Sequence, residues 1–295
     1  MKVVVIGANG QLGNDVIRSF ANNGDEVLGL THAEIELSTP HSAADCLRSQ
    51  SPDLVVNTAA MHHVENCELQ PDKAYAVNAL GSRNLALVTR ELNATLMHVS
   101  TDYVFDGAKG KPYLEEDAPR PLNVYGNTKL SGEYFVSTVN PKHFILRTSA
   151  LFGEHPCRAK GGQNFIDLML RLAKERRRVR VVDSEFVSPT STRELAQQMV
   201  VLSKTSSYGL YHATAQGSCS WYEFAKEIFS AAGITVQLEV ASATEFPAKV
   251  PRPSYSVLEN RRLKAQGLNV FDSWKAGVHN YIRSKSEADA QLCLK

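Results

Sequence analysis

Apolar positions along the first half of the chain change their period at regular intervals, and each change predicts an element. Val3–Ile6 is an unbroken β-branched run, the pattern of a strand covered on both faces. Glycines follow, then a helical stretch from Gln11 to Asn22 that stops at Asn22-Asn23-Gly24. Glu26–Leu30 predicts a second strand. Ser38-Thr39-Pro40 predicts a helix start, with a hydroxyl cap and proline in the first turn. Asp53–Asn57 is a third strand. A long helical stretch, Ala74–Glu91, precedes a strand at Thr95–Ser100, a helix from about Tyr125 to Ser137 and a strand at Phe144–Thr148. Strands alternating with helices predict an α/β fold, a doubly wound parallel sheet (Rossmann-like) with helices on both faces.

After about residue 150 the alternation loosens. Phe165–Lys174 is helical, with Phe165, Leu168, Met169 and Leu172 on one face, and Val179–Val182 is a strand candidate. Arg193–Leu202 and Trp221–Ala232 read as helices, and residues 233–260 mix short strand signals with prolines at 247, 251 and 253. The basic run Lys174-Glu175-Arg176-Arg177-Arg178 reads as a solvated helix end that complements the helix dipole. The expected organisation is a dinucleotide-binding domain, 1–150 plus about 181–215, and a smaller, loop-rich α/β substrate domain, about 151–180 and 216–295.

Composition narrows the function classes. At 295 residues the chain can bury about 75% of its unfolded surface without staples. Lys+Arg is 32 against Asp+Glu 31, a net charge of +1, which argues against a non-specific nucleic-acid binder or a polybasic membrane protein. No apolar run approaches the roughly eighteen residues of a membrane span. The run in Met1–Gly7 is too short for a signal peptide. Cys46, Cys67, Cys157, Cys219 and Cys293 are odd in number and scattered, without a C-x-x-C pair. That argues for a reducing cytoplasm rather than a disulfide framework or zinc site. His62-His63 lacks metal-ligand spacing, and no metal is assigned.

The chemistry sits at the ends of the predicted strands. Gly7-Ala8-Asn9-Gly10-Gln11-Leu12-Gly13 is G-x-x-G-x-x-G between a strand and a helix. Glycines let the backbone turn and approach a pyrophosphate, and the helix N-terminus offers N–H groups and a positive dipole end. An acidic residue ending the second strand would bond the adenosine ribose of NAD. Here the strand ends Leu30-Thr31-His32, so NADP(H) is favoured, and NAD(H) stays open because Glu34 and Glu36 are near enough to fold back.

Tyr125-Gly126-Asn127-Thr128-Lys129 is Y-x-x-x-K, which puts phenol and ammonium on one helix face. An ammonium beside a phenol favours the phenolate and makes a proton donor for carbonyl reduction. Tyr222-Glu223-Phe224-Ala225-Lys226 matches the same pattern, but its amphipathic setting reads as core packing. Upstream of Tyr125, Thr101 lies at the carboxyl end of a strand, where ligands sit in open α/β sheets, placed to hydrogen-bond a substrate oxygen. Asn57 and Asn78 divide between capping and a polar role, for Asn78 a backbone kink or a relay water.

These residues resemble the extended short-chain dehydrogenase/reductases and, within them, the dTDP-4-dehydrorhamnose reductase family. The resemblance runs through Asn57-Thr58-Ala59-Ala60, Ser100-Thr101-Asp102-Tyr103-Val104-Phe105-Asp106-Gly107 and Pro121-Leu122-Asn123-Val124-Tyr125-Gly126. It continues through Lys129, Gly132-Glu133, Arg147-Thr148-Ser149, Ser188-Pro189-Thr190, Gly209-Leu210-Tyr211-His212 and Arg252-Pro253 with Ser256. It implies reduction of the 4-keto group of a deoxysugar nucleotide with NAD(P)H, making dTDP-L-rhamnose for cell-surface polysaccharides. It implies Thr101, Tyr125 and Lys129 as the catalytic set and a loop around Arg252 that covers the nucleotide.

Taken together, these readings place Gly7, Asn9, Gly10, Gln11, Leu12, Thr31, His32, Ala59, Ala60, Asn78, Ser100, Tyr125 and Lys129 at the cofactor. They place His62, Thr101, Asp102, Val104, Ala150 and Arg252 at the nucleotide-sugar substrate. A homodimer stays open, and neither nucleic acid nor membrane is an expected partner. The chain departs from the family at Ala150, where a tryptophan is usual, at His62 for threonine and at Glu65 for aspartate. It also departs in Asp183-Ser184-Glu185-Phe186-Val187-Ser188-Pro189-Thr190, which lacks the usual Gln and Gly. The alternatives are a reductase or epimerase of another nucleotide sugar, or a cofactor-binding regulatory subunit without turnover. The regulatory β subunit of methionine adenosyltransferase resembles the same family.

Overall fold

The computed structural model describes residues 1–157, 161–242, 245 and 249–293; of the segment rich in prolines, Pro247 lies outside them. Strands β1 (Lys2–Ile6), β2 (Glu26–Leu30), β3 (Leu54–Asn57), β4 (Thr95–Thr101) and β5 (His143–Thr148) join a strand near residue 210 in one parallel sheet. That sixth strand, β7 (Gly209–His212), pairs with β5, and the order across the sheet is β7-β5-β4-β3-β1-β2. The order reverses between β1 and β3, the switch point at which doubly wound sheets bind ligands.

Alternation along β1 sorts the core into two layers. Val3 and Val5 face helices α1 (Gln11–Asn22) and α7 (Thr192–Ser203), meeting Leu12, Val16, Leu195 and Met199. Val4 and Ile6 face the other way, onto α2 (Pro40–Gln50), α4 (Gly81–Glu91) and α5 (Val124–Val139), meeting Leu47, Leu85 and Val136. Every β1 residue from Val3 to Ile6 is buried because both layers are filled.

A second core lies beyond the sheet. A parallel pair, β6 (Arg178–Val182) and β8 (Gln237–Ala241), packs with α6 (Phe165–Glu175), α8 (Trp221–Ala231) and the C-terminal α9 (Trp274–Cys293). Tyr222 packs against this core, as its amphipathic setting predicts. Helix α6 ends at Glu175 with Lys174 in its last turn, and the rest of the basic run leads into β6.

Two sequence expectations change. The stretch 74–91 is not one helix: α3 (Pro71–Tyr75) leads into a π-helical segment, Ala76–Leu80, before α4 begins. Helix α2 starts at Pro40 as expected, but Thr39 makes no side-chain cap. The nearby Ser38 hydroxyl is instead spent on Glu36 at 2.7 Å. The strand β7 and helix α9 carry no prediction above. Among the described residues no helix is long and apolar enough to cross a membrane.

Candidate active site

The glycine turn closes because its Cα atoms carry no side chain. Gly7 has φ +84°, and a Cβ there would lie 2.7 Å from Thr58 Oγ1. At Gly13 a Cβ would collide with the Gly7 carbonyl, so α1 packs onto the turn only with glycine. Gly10 begins α1 with no side-chain cap, and the first turn holds no acidic residue. Its dipole is therefore not neutralised locally and favours an anion.

Gly10, Gln11, Leu12 and Gly13 form one wall of a cavity of about 580 Å³. The opposite wall comes from the ends of β4 and β5 and the first turns of α5: Ser100, Thr101, Asp102, Tyr125, Lys129, Thr148, Ser149 and Ala150. Thr58, Ala60, His62 and His63 come from the loop after β3, and Arg252, Pro253 and Ser256 from a late loop.

Local sequence explains the placement of Tyr125. Asn123 caps α5, its Oδ1 accepting from Gly126 N at 2.9 Å. Its Nδ2 donates to the Pro251 carbonyl at 2.9 Å, tying the helix start to the loop that carries Arg252. Gly126 lets α5 approach the Tyr103 carbonyl, and the Tyr103 and Tyr125 rings meet edge to face at 5.8 Å. Gly107, at φ +80°, leaves room for the backbone of Ser254 and Tyr255.

Asp102 anchors the cavity floor. Its Oδ2 accepts from Ser256 Oγ at 2.5 Å and Ser149 Oγ at 2.8 Å, and Oδ1 accepts from Thr101 Oγ1 at 3.1 Å. Burial nevertheless raises its pKa, the hydrogen bonds opposing. Next to it, Ser100 Oγ and Arg147 share the Glu133 carboxylate in a buried ion pair, Arg147 Nη2 to Glu133 Oε2 being 2.6 Å.

Burial also raises the Tyr125 pKa, with the Thr101 hydroxyl pulling the other way. The expected lowering of the phenol by Lys129 is not seen. Lys129 Nζ donates to the Val99 carbonyl at 2.6 Å, and burial brings its own pKa down to about 8 although Glu133 opposes. The i, i+4 spacing brings both side chains to the cavity, while the carbonyl under β4 takes the ammonium.

Several expected site residues lie elsewhere. Gly7 and Asn9 shape the turn without lining the cavity, and Ala59 donates its N–H to Asn57 Oδ1 at 3.1 Å. Val104 is fully buried with Phe105, Tyr113 and Leu258, because the short 3-10 turn Asp102–Val104 points it away from the cavity. Asn78 is the centre of the π-helical segment and is fully engaged: Oδ1 accepts from Met61 N at 2.8 Å, and Nδ2 donates to Met61 O and to Thr128 Oγ1. It braces the loop after β3, and so does not reach the cavity. Thr31 and His32 stand outside the cavity at the end of β2. Glu34 does fold back, accepting from Thr31 N at 2.7 Å and Thr31 Oγ1 at 2.5 Å, and Glu36 pairs with His32 at 3.0 Å.

The cavity also takes Trp221, Glu185 and Cys157, none of which the sequence reading placed at the site. Trp221 lines it and donates Nε1–H to Glu185 Oε2 at 3.2 Å. Glu65 accepts from Arg252 Nη2 at 2.5 Å, and Cys157 Sγ lies 3.7 Å from His62 Nε2. Ala150 adopts φ +42°, a left-handed conformation that costs a residue with a Cβ about 1–2 kcal/mol. Strain of this kind collects at functional sites.

An anionic dinucleotide fits these residues. The uncapped N-terminus of α1 lines the cavity, and Thr148 Oγ1, buried on the cavity wall, has no partner among the described residues.

Comparison with known proteins agrees with the geometry. Residues 1–286 match the model of the RmlD substrate binding domain. The spore coat polysaccharide biosynthesis protein SpsK of Bacillus subtilis is 36% identical over 287 residues, covering 97% of this chain and 99% of that protein. The crystal structure of a dTDP-4-dehydrorhamnose reductase from Clostridium acetobutylicum superposes with TM-score 0.92 at 37% identity, covering 97% of this chain and 100% of that one. The Bacillus anthracis dTDP-4-dehydrorhamnose reductase in complex with NADP gives TM-score 0.91 at 35% identity, covering 96% and 99%. The chain therefore belongs to the RmlD substrate binding domain family.

Proposed function

We propose that this protein reduces the 4-keto group of dTDP-4-dehydrorhamnose with NADPH, giving dTDP-L-rhamnose. One observation carries the reading: Thr101, Tyr125 and Lys129 line the same cavity as the uncapped N-terminus of α1. An anion site and a proton donor thus face one space.

NADPH, when bound, supplies the hydride. The backbone of Gly10, Gln11 and Leu12 would hold its pyrophosphate, and Lys129 its ribose. Thr101 would orient the substrate carbonyl by turning its hydroxyl from Asp102 to that oxygen. Tyr125, kept protonated by burial, gives its proton to the carbonyl oxygen as it becomes an alcohol. In this reading Lys129 is the counter-charge for the phenolate left behind, although it does not bring the resting phenol down against burial. Arg252, on the far side of the cavity, suits the diphosphate of a nucleotide sugar. The division into a cofactor part and a substrate part belongs to the same proposal. The sheet would hold NADPH, and the second core would contribute Trp221 and Glu185 to the sugar side.

The test follows NADPH absorbance with purified protein and dTDP-4-dehydrorhamnose. Rapid oxidation is the expected result; none, with NADPH bound, would overturn the substrate. Tyr125→Phe should cut turnover by about 10²–10⁴-fold while NADPH binding, read by fluorescence, persists. Wild-type turnover in that variant would overturn the role of Tyr125.

A further inference from the structure

A row of hydrogen bonds runs beneath the cavity and ends on Lys129. Lys129 Nζ lies 3.4 Å from His98 Nε2, and His98 Nδ1 lies 3.1 Å from Asn57 Nδ2. Asn57 Oδ1 accepts from the Ala59 backbone N–H at 3.1 Å. Asn57, His98 and Lys129 are all buried, none more than 2% exposed.

The row has a direction. A backbone N–H only donates, so it identifies the Asn57 oxygen and turns the Asn57 NH₂ toward His98. His98 Nδ1 must then accept, and a neutral imidazole carries its one proton on Nε2. The ring is neutral because burial, and next the charge of Lys129, hold its pKa well below the ordinary value. Its Nε2–H therefore points at Lys129 Nζ. An ammonium has only donors to offer that N–H, whereas an amine offers a lone pair.

We propose that His98 is a positioning residue for Lys129: fixed by Asn57 as the Nε2–H tautomer, it opposes the ammonium and sets the pH above which the site loses its cation. The other charged and titratable groups around Lys129 are few. Glu133, one turn further along α5, favours the ammonium but is shared with Arg147 from β5. Tyr125 lies one turn back on α5, and Asp102 follows β4. Burial brings the lysine down to about 8 against Glu133, and the His98 N–H, 3.4 Å away, stands against the charge beside it. The consequence for turnover rests on the reading of Tyr125 and Lys129 above: once Lys129 is an amine, the Tyr125 phenolate loses its counter-ion and kcat falls.

The direct test is an NMR titration of ¹³Cε-labelled lysine in the full chain, with the Lys129 signal identified by its loss in Lys129→Met. In wild type the signal should titrate near 8. His98→Gln replaces the N–H with an amide whose oxygen accepts from an ammonium, and the midpoint should rise by about one pH unit or more. Asn57→Ala releases the tautomer and should move it the same way, which covers a His98→Gln chain that fails to fold. Equal midpoints in wild type and the folded variants would overturn the proposal. With dTDP-4-dehydrorhamnose and NADPH, the alkaline limb of kcat should move up with the NMR midpoint. A kcat lowered equally at every pH, with the limb in place, would mark His98 as structural only and overturn it. Absence of wild-type turnover would refute the proposed function, while the NMR titration still decides His98.

Discussion

Single residues decide how closely the site can be assembled. Gly13 is the tightest case, since any side chain there meets the Gly7 carbonyl. Gly13→Ala should cost about 1–3 kcal/mol in denaturant unfolding and weaken NADPH binding, because turn and helix must separate. Retention of both would show that the backbone yields there. Residue types were readable here: glycines, Tyr125, Lys129 and Thr101 all carry a chemistry that spacing makes visible. What each polar atom bonds was not readable. Lys129 meets Val99 and His98, neither of which its own helix spacing reveals. Trp221 is similar. Its segment is amphipathic and both Trp221 and Tyr222 pack against the second core, yet Trp221 also lines the same cavity as Ala150. Ala150, where the family has a tryptophan, and Trp221, 71 positions later, thus line one cavity, which only the fold brings about.

At the scale of elements, the boundaries follow local rules except where tertiary contacts override them. Helix α1 and strand β2 fall on the predicted residues because glycine and asparagine stops are local signals. The segment 74–91 reads as one helix because its residues have helical propensity throughout. The π-helical insertion exists because Asn78 hooks both backbone groups of Met61, and Gly132 of α5 lets the Asn78 carbonyl come close. Asn78→Ala should leave the chain folded but lower its stability by about 1–3 kcal/mol, since two Met61 groups lose partners. The KM values for NADPH and substrate should rise more than kcat falls, because the released loop carries Ala60 and His62. Steady-state kinetics beside a melting curve would check this; an unchanged KM would confine Asn78 to stability.

At the scale of the whole molecule, β7 closes one side of the sheet and brings a buried titratable group with it. His212 sits under the Phe105 ring, Nδ1 at 3.1 Å from the Tyr113 carbonyl and Nε2 without a partner among the described residues. Burial, then the Arg147 charge, brings its pKa down to about 3. An unfolded histidine takes up a proton near 6.5. Between those values the unfolded chain holds more protons, so stability is full above 6.5 and declines as pH falls, by up to about 1.4 kcal/mol per unit. Denaturant unfolding should therefore show a loss between pH 7 and pH 5 that is smaller, by about 2 kcal/mol, in His212→Gln. The same loss in both would exclude His212 as the acid-sensitive group.

The sequence by itself determined the alternation of strands and helices, the phosphate-ready turn and the residue types that carry proton transfer, because periodicity, glycine and i, i+4 spacing are local properties. Tertiary structure alone decided the sixth strand, the π-helical brace, the left-handed Ala150 and the partners of Lys129. It also decided that Val104 turns inward while Trp221 turns to the cavity. These depend on which atoms from distant segments meet, and on burial that strips water from charged groups. Neither is written in the spacing of neighbours along a chain.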